Sequence, residues 1–97
     1  MEVELFRTFV AVAEARSYSR AADTLHFVQS TLSRQIAKLE QEAGVKLLER
    51  SGRHVECTVA GELLLPLARA IVARTDDAMA LLREQAGSGP NVVRFGA

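Results

Sequence analysis

Ninety-seven residues with 48% hydrophobic content leave room for one compact domain plus an extra element and exclude two full domains. Twelve Lys+Arg balance twelve Asp+Glu, so there is no global basic excess of the kind many nucleic-acid binders carry. The single cysteine excludes an intrachain disulfide, and there is neither a leader with a cleavage site nor an apolar run of bilayer length, so the chain reads as cytoplasmic.

Residues 2–16 open with Leu5, Phe6, Phe9, Val10 and Ala13 at helical spacing, a wide apolar stripe whose early glutamates suit the positive end of a helix dipole. Ser17-Tyr18-Ser19 breaks the pattern, and Ser19 reads as the N-cap of a short helix over 20–25. Ala21 and Ala22 are small enough to let a second helix cross close to the first, as a helix-turn-helix requires. His26-Phe27-Val28 forms the turn, with Phe27 or Val28 plugging the angle and His26 as a capping or surface residue.

Residues 29–41 carry the chemistry. Leu32, Ile36, Leu39 and Ala43 recur on one helical face as a buried stripe, and Gly44 suits the left-handed C-cap. Ser30, Ser33, Arg34, Lys38 and Gln41 recur on the other, interrupted only by Ala37, with no carboxylate among them. Arg can fork onto a guanine edge and Gln onto an adenine edge, Ser and Thr suit bases or phosphates, and a helix N-terminus attracts phosphate. Taken alone, such a stripe also suits a merely solvated face. The surrounding charge adds weight: residues 16–38 hold Arg16, Arg20, Arg34 and Lys38 against Asp23, and residues 44–54 hold Lys46, Arg50 and Arg53 against Glu49. A neutral protein with so concentrated a patch can dock on DNA, because the counterions it displaces are local.

Residues 45–50 and 55–58 read as two short strands around a turn at 51–54, with Leu48 and Val55 facing inward and a basic tip. Beside a recognition helix, such a hairpin reaches phosphates or the minor groove. His54 and Cys57 are three apart, but no second ligand pair lies at a helpful spacing, so no metal site and no cofactor are read. Thr58 caps the last element, which reads as one helix over 59–86, about 40 Å long and bent near Pro66. Leu64, Leu67 or Ala68, Ile71, Thr75, Ala78, Leu82 and Gln85 form an approximate heptad seam. A small domain cannot cover so long a helix, and a second copy of it is the simplest partner. Gly87-Ser88-Gly89-Pro90 reads as a hinge, and Val92, Val93 and Phe95 as a strand opening a further, truncated domain.

Ser17-Tyr18-Ser19-Arg20-Ala21-Ala22, Leu25-His26, Gln29, Leu32-Ser33-Arg34-Gln35-Ile36, Leu39-Glu40, Gly44, Leu47-Leu48-Glu49-Arg50 and Thr58-Val59-Ala60-Gly61 together resemble the N-terminal region of LysR-type transcriptional regulators. The resemblance covers essentially the whole chain, and its order and spacing are more specific than any one motif. It implies a mainly α fold: a winged helix-turn-helix over 1–58, a linker and dimerisation helix over 59–86, and the start of an effector-binding domain over 87–97. It implies sequence-specific binding of double-stranded DNA as a homodimer on an interrupted inverted repeat, often within a dimer of dimers, under a small-molecule effector sensed by the missing domain. Carried over by position, Gln29, Ser30, Ser33 and Arg34 are candidates for base edges. Ser19, Arg20, Thr31, Lys38, Arg50, Arg53 and His54 are candidates for phosphates, and Leu64, Leu67, Ala68, Ile71, Ala78 and Leu82 for dimerisation.

Three residues depart from the family's usual pattern. Val28 stands where a small polar cap is usual, which leaves Ser30 as the alternative cap. Ser30 replaces a frequent proline, and Cys57 a common leucine, which should loosen the wing's packing. The alternatives are another winged-helix regulator, such as the LysR-like DNA-binding half of molybdate-responsive repressors, or a pure dimerisation module. No convergence of acid, base and nucleophile suggests an enzyme.

Overall fold

The computed structural model describes residues 2–87; of the expected hinge and strand, Gly87 ends the last helix and residues 88–97 lie outside the described part. The elements run α1 (Val3–Ala15), α2 (Tyr18–Leu25), α3 (Gln29–Ala43), β1 (Leu48–Ser51), β2 (His54–Cys57) and α4 (Val59–Gly87). Three helices and a two-stranded antiparallel wing, followed by one long helix, make a mainly α winged helix-turn-helix.

α1 is the hub, packing on α2, α3 and α4 at once. Its fully buried line is therefore Leu5, Thr8, Phe9 and Val12, while Phe6, Val10 and Ala13 flank it half-buried. Each large apolar side chain buried there, such as Phe9 or Leu32, contributes about 1.5–3 kcal/mol. Thr8 is polar and buried, and its hydroxyl is satisfied by donating to the Gln35 side chain of α3.

α1 ends at Arg16, a non-glycine residue in the left-handed region (φ 55°). The conformation is costly for an L-residue but productive here. The Arg16 N–H donates to Val12 O at 2.8 Å, its carbonyl accepts from Val55 N–H of the wing at 3.1 Å, and its guanidinium meets Glu56 at 3.1 Å. Ser17, not Ser19, caps α2: the helix starts two residues earlier than the sequence pattern suggests, and Arg20 N–H donates to Ser17 Oγ at 3.1 Å. Ala21 and Ala22 are buried at the helix crossing, as their size anticipates.

Phe27 and Val28 do not plug the angle between α2 and α3; they are 49% and 65% exposed, because the alanines already bring the helices together. His26 ends α2 in the left-handed region, and its N–H bonds back to the helix. α3 begins at Gln29 with Val28 at the cap position and no side-chain cap, so Ser30 lies inside the first turn and does not replace the missing hydroxyl. Val28→Ser is expected to raise stability by about 1 kcal/mol, read as a higher thermal midpoint; an unchanged midpoint would show the first turn to be satisfied already. Leu32, Ile36 and Leu39 are buried as the periodicity requires, but Ala43 is exposed at the helix end. Gly44 takes the left-handed C-cap at φ 77°.

Leu48 pairs with Cys57, Arg50 with Val55 and Ser51 with His54, leaving a two-residue turn at Gly52 and Arg53. Gly52 has φ 64° and Arg53 does not have positive φ, the pattern of a type II′ hairpin turn. Leu48 and Val55 are buried inward, and so is Leu47, which precedes the strand. Glu40 of α3 anchors the wing's base, its carboxylate accepting from Leu47 N–H at 2.8 Å and Leu48 N–H at 3.1 Å.

Thr58 caps α4, its hydroxyl accepting from Gly61 N–H at 3.1 Å while donating to Lys46 O at 2.7 Å. The helix then lies along α1, with Arg69 on Glu14 (2.6 Å) and Arg7 on Asp76 (3.1 Å). Ala68 is completely buried in the chain's own core and Leu64 is half-buried against it, so neither belongs to a free seam. The outward apolar face is one helix strip further round, through Leu63, Leu67, Ile71, Leu81 and Leu82.

Candidate nucleic-acid interface

α3 buries Leu32, Ile36 and Leu39, so geometry turns Ser30, Ser33, Arg34, Ala37, Lys38 and Gln41 outward, and all six are exposed. No part of the described chain covers this face. Gln29 is also exposed and Thr31 is half-buried. Arg34 makes no ion pair among the described residues. Lys38 lies 3.9 Å from the Glu2 carboxylate, but both groups are more than half exposed, and such a pair is worth at most about 1 kcal/mol. A phosphate can displace it.

The wing stands beside this helix with Arg53 and His54 exposed at its tip. Both line one recess of about 350 Å³ with Ala15, Arg16, Ser17 and Arg20, at the N-terminus of α2. Side chains from three separate stretches thus converge where the α2 dipole adds positive potential. Arg20 and Arg53 have no carboxylate partner among the described residues. Ser19 is exposed at the same helix end, its Oγ 3.1 Å from Ser17 Oγ. Arg16 and Ser17 are additions that sequence reasoning missed; Arg16 was visible only as one charge in the basic run.

Arg50 is placed differently from Arg53. Its guanidinium lies over the Tyr18 ring, 5.5 Å from the centroid, beside a recess of about 160 Å³ that Ser33 and Glu40 also line. Burial, then the Glu40 carboxylate, push the Tyr18 phenol above its ordinary pKa, with Arg50 opposing. Cys57 is half-buried, and burial followed by Glu62 raises its thiol's pKa against the opposing pull of Arg69. It stays a thiol at neutral pH, unsuited to nucleophilic chemistry.

No group of three or more His, Cys, Asp or Glu that could hold a metal occurs among the described residues. No described helix is long and apolar enough to cross a membrane. What the surface offers is a carboxylate-free helix face flanked by Arg20 and Arg53, which are unpaired among the described residues, able to fork onto base edges and to neutralise phosphates.

The model of bacterial regulatory helix-turn-helix proteins of the lysR family matches residues 3–62. The HTH-type transcriptional regulator ShiR of Corynebacterium glutamicum (strain R) is 45% identical over 96 residues, which are 99% of this chain and 32% of ShiR. The chain thus spans about a third of the length of that regulator. Among solved structures, the BenM DNA-binding domain in complex with benA site 1 DNA superposes with a TM-score of 0.79 at 38% identity, covering 92% of this chain and 100% of that one. The CbnR DNA-binding domain in complex with DNA gives a TM-score of 0.78 at 41% identity, covering 89% of this chain and 99% of that one.

Proposed function

The chain belongs to the lysR family of bacterial regulatory helix-turn-helix proteins, and from that premise we propose that its winged helix-turn-helix reads double-stranded DNA by sequence. α3 enters the major groove, with Gln29, Ser30, Ser33 and Arg34 at base edges. Ser19, Arg20, Thr31, Lys38, Arg53 and His54 hold phosphates on either side, Arg53 and His54 from the wing. The observation that carries this reading is the outward, carboxylate-free face of α3, which nothing in the described chain covers.

A single recognition helix reads only a few base pairs, and α4 supplies the means to double it. Leu67 and Leu82 remain 63% and 60% exposed, and Ile71 and Ala78 lie between them on the same side of a 29-residue helix. A second copy covering that strip makes an isologous homodimer, which matches an inverted repeat. ShiR is about three times as long as this chain, and such additional length would accommodate effector control and assembly into tetramers. No catalytic step is assigned to this part, whose relatives are transcriptional regulators.

Salt tests the reading. Arg20, Lys38 and Arg53 from each copy neutralise about six phosphates per dimer, so affinity for duplex DNA should fall roughly a thousandfold between 50 and 200 mM salt. A salt-insensitive association would point to apolar protein pairing instead. For assembly, Leu67→Glu combined with Ile71→Glu is expected to give monomers by sedimentation and to weaken duplex binding at least tenfold, because two linked half-sites become one. An unchanged sedimentation profile would contradict the α4 pairing.

A further inference from the structure

Besides its junction with α4 at Thr58, the wing is held to the helical body on three sides. At its base, Glu40 takes the N–H groups of Leu47 and Leu48. On the α1 side, Arg16 takes Val55 N–H and meets Glu56. On the remaining side, Arg50 lies over the ring of Tyr18, the first residue of α2. Arg50 sits opposite Val55 in the hairpin register, two residues from Leu48, so strand alternation sets it on the inward face of the wing. Glu40 is already engaged by two backbone donors and by Lys46 at 3.8 Å, which leaves the aromatic face as the partner of Arg50. A two-stranded ribbon has little rigidity of its own, so such contacts set where its tip points.

We infer that Tyr18 and Arg50 form a latch fixing the angle of the wing to α3, so that Arg50 is a positioning residue that acts on DNA through Arg53. The inference rests on the DNA-binding reading for its consequence, but the latch itself is a property of the free protein. Arginine suits the task, since its flat cation stacks on a ring where a lysine ammonium would stay hydrated. Arg50 is thereby moved from the phosphate contacts that sequence position suggests.

Tyr18 is the only tyrosine and there is no tryptophan, so the ultraviolet titration of the phenol reports this site alone. Arg50 lowers the Tyr18 pKa, and Arg50→Gln should therefore move the titration to higher pH; an unmoved titration overturns the latch whatever the DNA result. In duplex binding, Tyr18→Leu and Arg50→Gln should each lose roughly fivefold, the double variant no more than either, with the salt slope unchanged. Tyr18→Phe keeps the ring face and should bind as the parent does. Arg53→Ala should cost less in the Tyr18→Leu background than in the parent, a coupling that a general loss of stability does not produce. If Arg50→Gln instead flattens the salt slope by about one phosphate per half-site while Tyr18→Leu binds normally, Arg50 touches DNA directly and the inference fails. Failure of the parent chain to bind any duplex would sink the DNA reading, and the phenol titration would still decide the latch.

Discussion

Gly61→Ala is expected to lower the stability of the fold by about 1–3 kcal/mol, the larger end if the helix cannot slide. Gly61 is buried in the first turn of α4, and an added Cβ would sit inside the contact distance of the Leu47 carbonyl oxygen, 3.1 Å from its carbon and 3.2 Å from Cys57 Cβ. Those neighbours are backbone and wing, with little freedom to give. The same Leu47 oxygen accepts from Thr58 N–H at 3.0 Å, and Thr58 Oγ1 holds Lys46 O, so pushing α4 outward breaks the junction where wing and long helix meet. Urea unfolding followed by helical circular dichroism measures the effect. A midpoint equal to the parent's would mean that α4 does not approach the Leu47 carbonyl so closely.

The second large effect is on recognition. Arg34→Ala should cost about 1–3 kcal/mol in binding to the cognate duplex and relax preference at one base pair per half-site. Arg34 projects from the middle of the exposed face with no carboxylate partner among the described residues, so its fork is available to O6 and N7 of a guanine. Arg53→Ala, at the wing tip, should weaken cognate and random DNA about equally and flatten the salt dependence. Competition binding against single-base variants of the site separates the two outcomes. Equal loss on cognate and random DNA for Arg34→Ala would reduce it to a backbone contact.

Local periodicity was enough to place α3 and to orient it, because Leu32, Ile36 and Leu39 recur at helical spacing and their burial decides which residues face out. The same logic found Leu48 and Val55 inside the hairpin. It failed wherever a contact joins residues far apart in the chain. Leu47 and Leu48 are consecutive and both buried, which strand alternation alone forbids; Leu47 precedes the strand, where Glu40 and Thr58 hold its backbone. Nothing in the local pattern of α3 marks Glu40 as the anchor of the wing, because its two backbone donors lie seven and eight residues further along the chain. Ala68 satisfied the heptad spacing, yet α1 takes the face it lies on, and only the neighbouring strip stays open. Ser17 and Ser19 are equally good caps by composition, and the left-handed turn at Arg16 decides between them. For the site, the positions on α3 follow from the helix, whereas the recess shared by Arg16, Arg20, Arg53 and His54 exists only once α1, α2 and the wing are brought together.

Dimethyl sulfate protection on DNA from beside the chain's own gene tests the central claim most directly, since it reads guanine N7 in the major groove. The account predicts protected guanines in two symmetry-related half-sites whose centres lie about one helical turn, roughly 10 base pairs, or a multiple of it apart, with protection lost at one position per half-site in Arg34→Ala. Binding that leaves every guanine N7 open to methylation would contradict it, because α3 would then be outside the groove.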